Sequence, residues 1–222
     1  MSRRRFALCA GALVAFVFVT TSLAGLHSAR RSTRSTGTTQ SHSTIIRDEP
    51  SAMPGKRLDI DLATGGGIHI RGQDSNQVSV EYAKAEEDCP DAQVDVRQTD
   101  AGVSVTSRFL VEHHVRHCSM EIMIQVPKRY DIQIQSAGGA IEISDVDGTI
   151  AGHTGGGELY LSRLRGELEL RTGGGEIHVL DSHLEGSVRT GGGAAVLQNV
   201  SGGLEASSGS GPVIRRGKVK SI

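Results

Sequence analysis

Three groups of side chains in this chain have the types and spacing to do chemistry. Glu158, Glu176 and Asp181 are carboxylates strung along one stretch, with Arg163 and Arg189 among them. Acids beside a cation are what a polysaccharide lyase or hydrolase needs, one group to move a proton and one to stabilise developing charge. His113, His114, His117 and Cys118 form a second group of metal-ligand types, but their spacing matches no zinc pattern. The third is a glycine run, Thr154-Gly155-Gly156-Gly157 and its copies. A phosphate loop would lead into a helix N-terminus, and these runs lead into strands. A calcium-binding roll needs an Asp-bearing turn in each half of its coil, whereas a single glycine run occurs per repeat unit here. No Ser, His, Asp order or nucleophile elbow is present. Outward charges are also what any soluble stack of strands requires. The acids and arginines therefore read as a solvated face, with no catalytic residue, no cofactor and no metal.

A repeat positions these residues. From Ser136 the chain reads SAGGAIEISDVDGTIAGH, then TGGGELYLSRLRGELELR, TGGGEIHVLDSHLEGSVR, TGGGAAVLQNVSGGLEAS and SGSGPVIRRG, with an unvarying period of 18. Such a period marks stacked units, none of which can bury its apolar face alone. Counting from the Thr or Ser, apolar residues recur at positions 6 and 8, as in Ile141 and Ile143 or Leu159 and Leu161, and again near 15 and 17, as in Leu168 and Leu170. That spacing predicts two short strands per coil, each with its inward residues two apart. The glycine runs, together with single glycines near position 13 such as Gly148, Gly166 and Gly202, are expected to form the two corners. Leu184 and Gly186 fall off the pattern by one or two residues, which predicts a bulge or a shifted turn in the third unit. The predicted fold is all-β, an alternating-strand region leading into a β-solenoid of 18-residue coils over residues 136–222.

In such a stack Thr154, Thr172 and Thr190 form a hydroxyl ladder. Glu158 and Glu176 stack as like charges that Arg171 and Arg189, on neighbouring ladders, would balance. These seven residues are the candidate binding surface. Arg215, Arg216, Lys218 and Lys220 would keep the last edge from pairing with another chain.

Residues 55–135 alternate apolar and polar without repeating, from Leu58, Ile60 and Leu62 to Ile132 and Ile134, and predict further half-buried strands. Thr64-Gly65-Gly66-Gly67 repeats the corner phrase, either as a displaced first coil or as a similar turn. Cys89 and Cys118 would form a disulfide in an oxidising compartment, closing a loop of about 30 residues for ~3 to 4 kcal/mol.

The address lies at the front. Arg3, Arg4 and Arg5 precede a charge-free run over 6–26, and Ser22-Leu23-Ala24 offers a cleavage site. Residues 1–29 read as an export signal, of Sec or twin-arginine type, or as an uncleaved inner-membrane anchor, since an apolar run of this length also suffices to span a bilayer. Residues 30–54, rich in Ser, Thr and Arg, have little to bury and read as a disordered linker. Formal net charge of −1 gives no concentrated basic face for nucleic acid.

GKRLDIDLATGGGIHIRG, a variable stretch, IQVPKRYDIQIQSAGGAIEIS and the tandem TGGGE units together resemble the bacterial DUF4097 family, labelled as adhesins. The resemblance covers about residues 54–214. It implies an all-β, solenoid-like envelope protein and transfers no site residue. The expectation is a non-enzymatic exported protein, periplasmic, secreted or at the cell surface, whose long face binds envelope polymers or another envelope protein. A carbohydrate-active enzyme on a β-helix and an accessory or sensor of an envelope-stress system are the alternatives. The membrane enters only through an uncleaved anchor.

Overall fold

The computed structural model describes residues 41–42, 56–84, 91–111 and 120–217. The run over 6–26, Cys89 and Cys118 of the expected disulfide, His113, His114 and His117, and the edge lysines Lys218 and Lys220 lie outside the described residues. Every regular element described is a strand. Among the described residues no helix is long and apolar enough to cross a membrane.

Eight strands precede or enter the repeat: β1 (Ser41–His42), β2 (Arg57–Leu62), β3 (Gly67–Gln73), β4 (Ser79–Lys84), β5 (Ala92–Thr99), β6 (Gly102–Phe109), β7 (Met120–Pro127) and β8 (Asp131–Ser136). Nine follow: β9 (Ile141–Ser144), β10 (Asp147–Thr154), β11 (Leu159–Ser162), β12 (Arg165–Thr172), β13 (Ile177–Leu180), β14 (His183–Thr190), β15 (Ala195–Gln198), β16 (Leu204–Ser208) and β17 (Val213–Arg216). They form two sheets, one of nine strands in the order β1-β4-β7-β3-β9-β11-β13-β15-β17, the other of eight in the order β16-β14-β12-β10-β8-β2-β6-β5. Among these pairings β1 on β4, β4 on β7 and β5 on β6 are antiparallel, and the rest are parallel.

Through the repeat the chain visits the two sheets alternately, and each strand pairs in parallel with its counterpart one unit later. Ile141, Leu159, Ile177 and Ala195 are direct neighbours in the nine-stranded sheet. Ile150, Leu168, Gly186 and Leu204 are direct neighbours in the eight-stranded one. Inward residues from both sheets belong to a single buried cluster, built from Ile, Leu and Val with almost no aromatic ring. Each such side chain taken fully out of water contributes about 1.5–3 kcal/mol, and no unit has enough of them to stand alone.

Three local expectations are corrected. The register between β12 and β14 runs unbroken from Arg165 opposite His183 to Thr172 opposite Thr190, so neither a bulge nor a shifted turn interrupts the third unit. Instead two residues exchange roles. Gly186 sits in the column of Leu168 and Leu204, while Leu184, in the column of Gly166, is fully buried. Second, the corner opposite the glycine runs is not made by Gly148 and Gly166, which lie inside β10 and β12, although Gly202 does stand at it, just ahead of β16 with a φ of 92°. In every coil the corner turns at Asp145, Arg163, Asp181 or Asn199, whose φ values of 62°, 52°, 49° and 55° are left-handed. Asp and Asn tolerate that conformation better than most side chains. Third, Arg215 does more than guard an edge. It occupies the inward column of Leu197, and its guanidinium donates to the Leu204 carbonyl at 2.6 Å, so a cation lies over the end of the apolar core.

Upstream, stack order and chain order part. β2 and β3 are the immediate neighbours of β8 and β9, with Ile68 beside Ile141, so Thr64 to Gly67 turns a displaced first coil. On their other side lie β6 and β7, made later in the chain. Between them the chain leaves the stack and returns through antiparallel β4 and β5. Gly72, near the end of β3, packs beneath the left-handed corner between β9 and β10, where a Cβ would stand 1.9 Å from the Asp145 carbonyl oxygen. Only glycine fits there.

Candidate functional site

The glycine corner is assembled from inside. Thr154, Thr172 and Thr190 are aligned in one column, as expected, but they are buried, with 3–5% of their surface exposed. Their hydroxyls donate to the carbonyls of Gly156, Gly157 and Gly175 at 2.7–2.8 Å. Thr190 Oγ1 also accepts from the Gly192 and Gly193 amides at 3.3 and 3.2 Å. A β-branched hydroxyl residue thus closes the turn and satisfies backbone groups that the sheets leave over. The ladder holds the corner together and presents no hydroxyl to solvent.

The charged members of the predicted surface stand on different sheets. Glu158 and Glu176 enter β11 and β13 on the exposed side of the nine-stranded sheet, and Arg171 and Arg189 project from β12 and β14 of the other. No ion pair joins them among the described residues. Glu158 instead accepts a hydrogen bond from the Tyr160 hydroxyl, and Glu176 lies 3.0 Å from His178 Nε2. Tyr160 and His178 stack with ring centroids 5.0 Å apart. The hydrogen bond to Glu158, with partial burial and the charges of Glu158 and Glu176, pushes the Tyr160 phenol above its ordinary value.

Two further arrangements carried no clear sequence signal. On β3, the ring nitrogens of His69 lie 3.1 Å from Glu142 and 3.0 Å from Glu121, tying the displaced coil to both neighbours. At the left-handed corner, Arg163 donates Nε to Asp145 Oδ1 at 2.7 Å and Nη2 to Oδ2 at 2.9 Å, while the Asn199 amide donates to Asp181 at 2.9 Å. The guanidinium holds the Asp145 carboxyl below the usual aspartate range, against a smaller opposing effect of burial. The one-repeat spacing of Asp145 and Arg163 was the available clue. It becomes a bidentate pair only when consecutive coils lie directly over each other. Beside this corner runs an open groove of about 1380 Å³, whose walls include Asp74, Lys128, Arg129, Asp147, Arg165 and His183.

The five residues with lyase-like chemistry do not converge. Arg163 and Asp181 belong to the left-handed corner, Glu158 and Glu176 to one outer face and Arg189 to the other. Among the described residues no three His, Cys, Asp or Glu side chains are placed to share a metal ion.

No family model matches the chain, and no curated protein matches it. Among solved structures, a "putative cell adhesion protein" from Clostridium sporogenes is similar at 11% identity and a TM-score of 0.43, over 81% of this chain and 100% of that one. A "putative adhesin" from Parabacteroides merdae is similar at 12% identity and 0.28, over 82% and 98%. A "putative adhesin" from Bacteroides fragilis follows at 14% identity and 0.27, over 72% and 92%. Likeness at this level carries no argument about activity.

Proposed function

We propose that the chain is a non-catalytic, adhesin-like protein of the bacterial cell envelope: an exported β-solenoid that presents a long face to surface polymers or to another envelope protein. The observation that supports this reading most is the recurrence of outward side chains in register from coil to coil along both sheets. Tyr160 beside His178 and Arg171 beside Arg189 are examples. A stack of this kind makes a repetitive surface suited to a repetitive partner, and its candidate acids and bases do not all meet at one site. The arginine-led N-terminus and the apolar run over 6–26 support export.

Retention on purified cell-wall and capsular polysaccharide, or on an array of envelope glycans, tests the proposal. The expected outcome is saturable retention with no change in polymer length. Release of shortened or unsaturated products would replace this reading with that of a polysaccharide-degrading enzyme.

A further inference from the structure

The outer face of the eight-stranded sheet carries a row of basic side chains. His153 on β10 lies directly beside Arg171 on β12, and Arg171 beside Arg189 on β14. All three are exposed, and neighbouring parallel strands bring such residues to about 4.8 Å from one another. Like charges directly opposite each other across strands are unfavourable. At several other points successive coils are joined through complementary partners, although Glu167 faces Glu185 across the same pair of strands. Asp145 takes Arg163, Glu169 accepts from Ser187 at 3.1 Å, and Glu142 and Glu121 flank His69. Arg171 and Arg189 have no hydrogen bond or ion pair among the described residues. A guanidinium presents a planar fork of donors that fits carboxylate or phosphate oxygens, and two of them in register present that fork twice at the coil spacing.

We propose that this row binds a linear anionic polymer lying along the stack, with successive negative groups meeting Arg171 and Arg189 and His153 extending the row. This rests on the envelope-binding reading above and names the chemistry of the partner. The negative group is a carboxylate on a polyuronate or a phosphodiester on a polyol-phosphate chain. Acids border the row on one side only, with Glu169 and Glu205 in the adjacent column and Glu167 and Glu185 in the next. On the other side comes the glycine corner, where no side chain rises beside the cations. A Cβ added at Gly156 or Gly174 would meet nothing within 4 Å, and neither residue has a left-handed φ. The equivalent position in the last coil, Ser210, already carries a side chain. A Cβ is therefore accommodated at both sites, which makes them places to obstruct the approach.

The full chain is titrated with polygalacturonate, with polyglycerol phosphate, with neutral dextran and with duplex DNA, at low and at high salt. Saturable binding of one or both envelope-type polyanions is expected, weakened by salt, with dextran unbound. Whichever of the two binds more tightly identifies the anion. Arg171→Glu with Arg189→Glu should weaken binding at least tenfold, and Arg171→Lys with Arg189→Lys by less. Gly156→Leu with Gly174→Leu should weaken it several-fold with the unfolding midpoint unchanged. Wild-type affinity in either the glutamate or the leucine pair overturns the inference, as does tighter binding of DNA than of both polymers. Retention of a neutral envelope glycan or an envelope protein with no polyanion bound overturns this inference and leaves the proposed function standing. If nothing from the envelope is retained, both fall.

Discussion

The strands from β9 to β17 and the strands from β2 to β8 build the same two sheets by different rules. In the repeat every coil lies on the one before it, so each parallel pairing joins segments a single repeat apart and the next coil always finds its template ready. Upstream, β2 and β3 must be flanked on one side by β6 and β7 and on the other by β8 and β9, pairings between segments several times farther apart in the chain. The repeat can extend coil by coil. The upstream part must hold a coil open on both faces until two separate segments arrive, which costs loop-closure entropy before any contact offsets it. The side chains differ accordingly. Successive repeat coils are joined by reused positions such as the Thr column, whereas the displaced coil is tied to its neighbours by His69 between two glutamates and by the close approach of Gly72 to the Asp145 corner.

The comparison can be broken most severely at Gly72. Gly72→Val would force a side chain onto the Asp145 carbonyl, and a loss of about 4 kcal/mol or more is expected in urea unfolding. Gly156→Ala in the repeat, facing open space, should stay within about 0.5 kcal/mol. Equal effects would mean that Gly72 is packed no more tightly against the Asp145 corner than Gly156 is in its open turn. Within the repeat, Leu184→Ala should cost about 3 kcal/mol, because this side chain is fully buried. Adding Gly186→Ala should not recover the loss, since a Cβ there would lie 2.4 Å from the Leu168 carbonyl oxygen.

The smallest effect concerns Asp145 and Arg163, the pair joining the first two repeat coils at their left-handed corner. The folded-state carboxyl titrates below the ordinary aspartate value, so its contribution to stability is present above that value and is lost as pH falls through the lowered one. Wild type should therefore be slightly more stable than Asp145→Asn at neutral pH, with the gap closing below about pH 3.9. A gap that stayed constant down to strong acid would show that the amide change acts through the turn and not through the charge.

Much of this was legible in the residues. Positions 6, 8, 15 and 17 alternate and recur, so strands, period and inward columns could be read directly, and buried Leu159, Leu161, Leu168 and Leu170 stand where that reading puts them. Glycines near position 13 suggested a turn because glycine usually marks one. For Gly148 and Gly166 the cause is instead close stacking inside a strand: a Cβ on Gly166 would lie 2.3 Å from the carbonyl oxygen of Gly148. Neighbouring backbones, which no single-sequence pattern displays, impose that limit. The expected balance of Glu158 and Glu176 by Arg171 and Arg189 failed for a related reason. Counting along the chain brings these residues close, but the corner between them turns the arginines onto one sheet and the glutamates onto the other.

Sequence by itself determined that this chain is made of short strands, that one repeat period returns it to an equivalent place, and which residues face inward, because alternation and period are local properties of the backbone. Only the tertiary structure decided the order in which coils are stacked, where the second corner turns, and which charges meet. Those depend on contacts between segments distant in the chain, and a change in the stacking order of a single coil alters them all without altering one residue of the pattern.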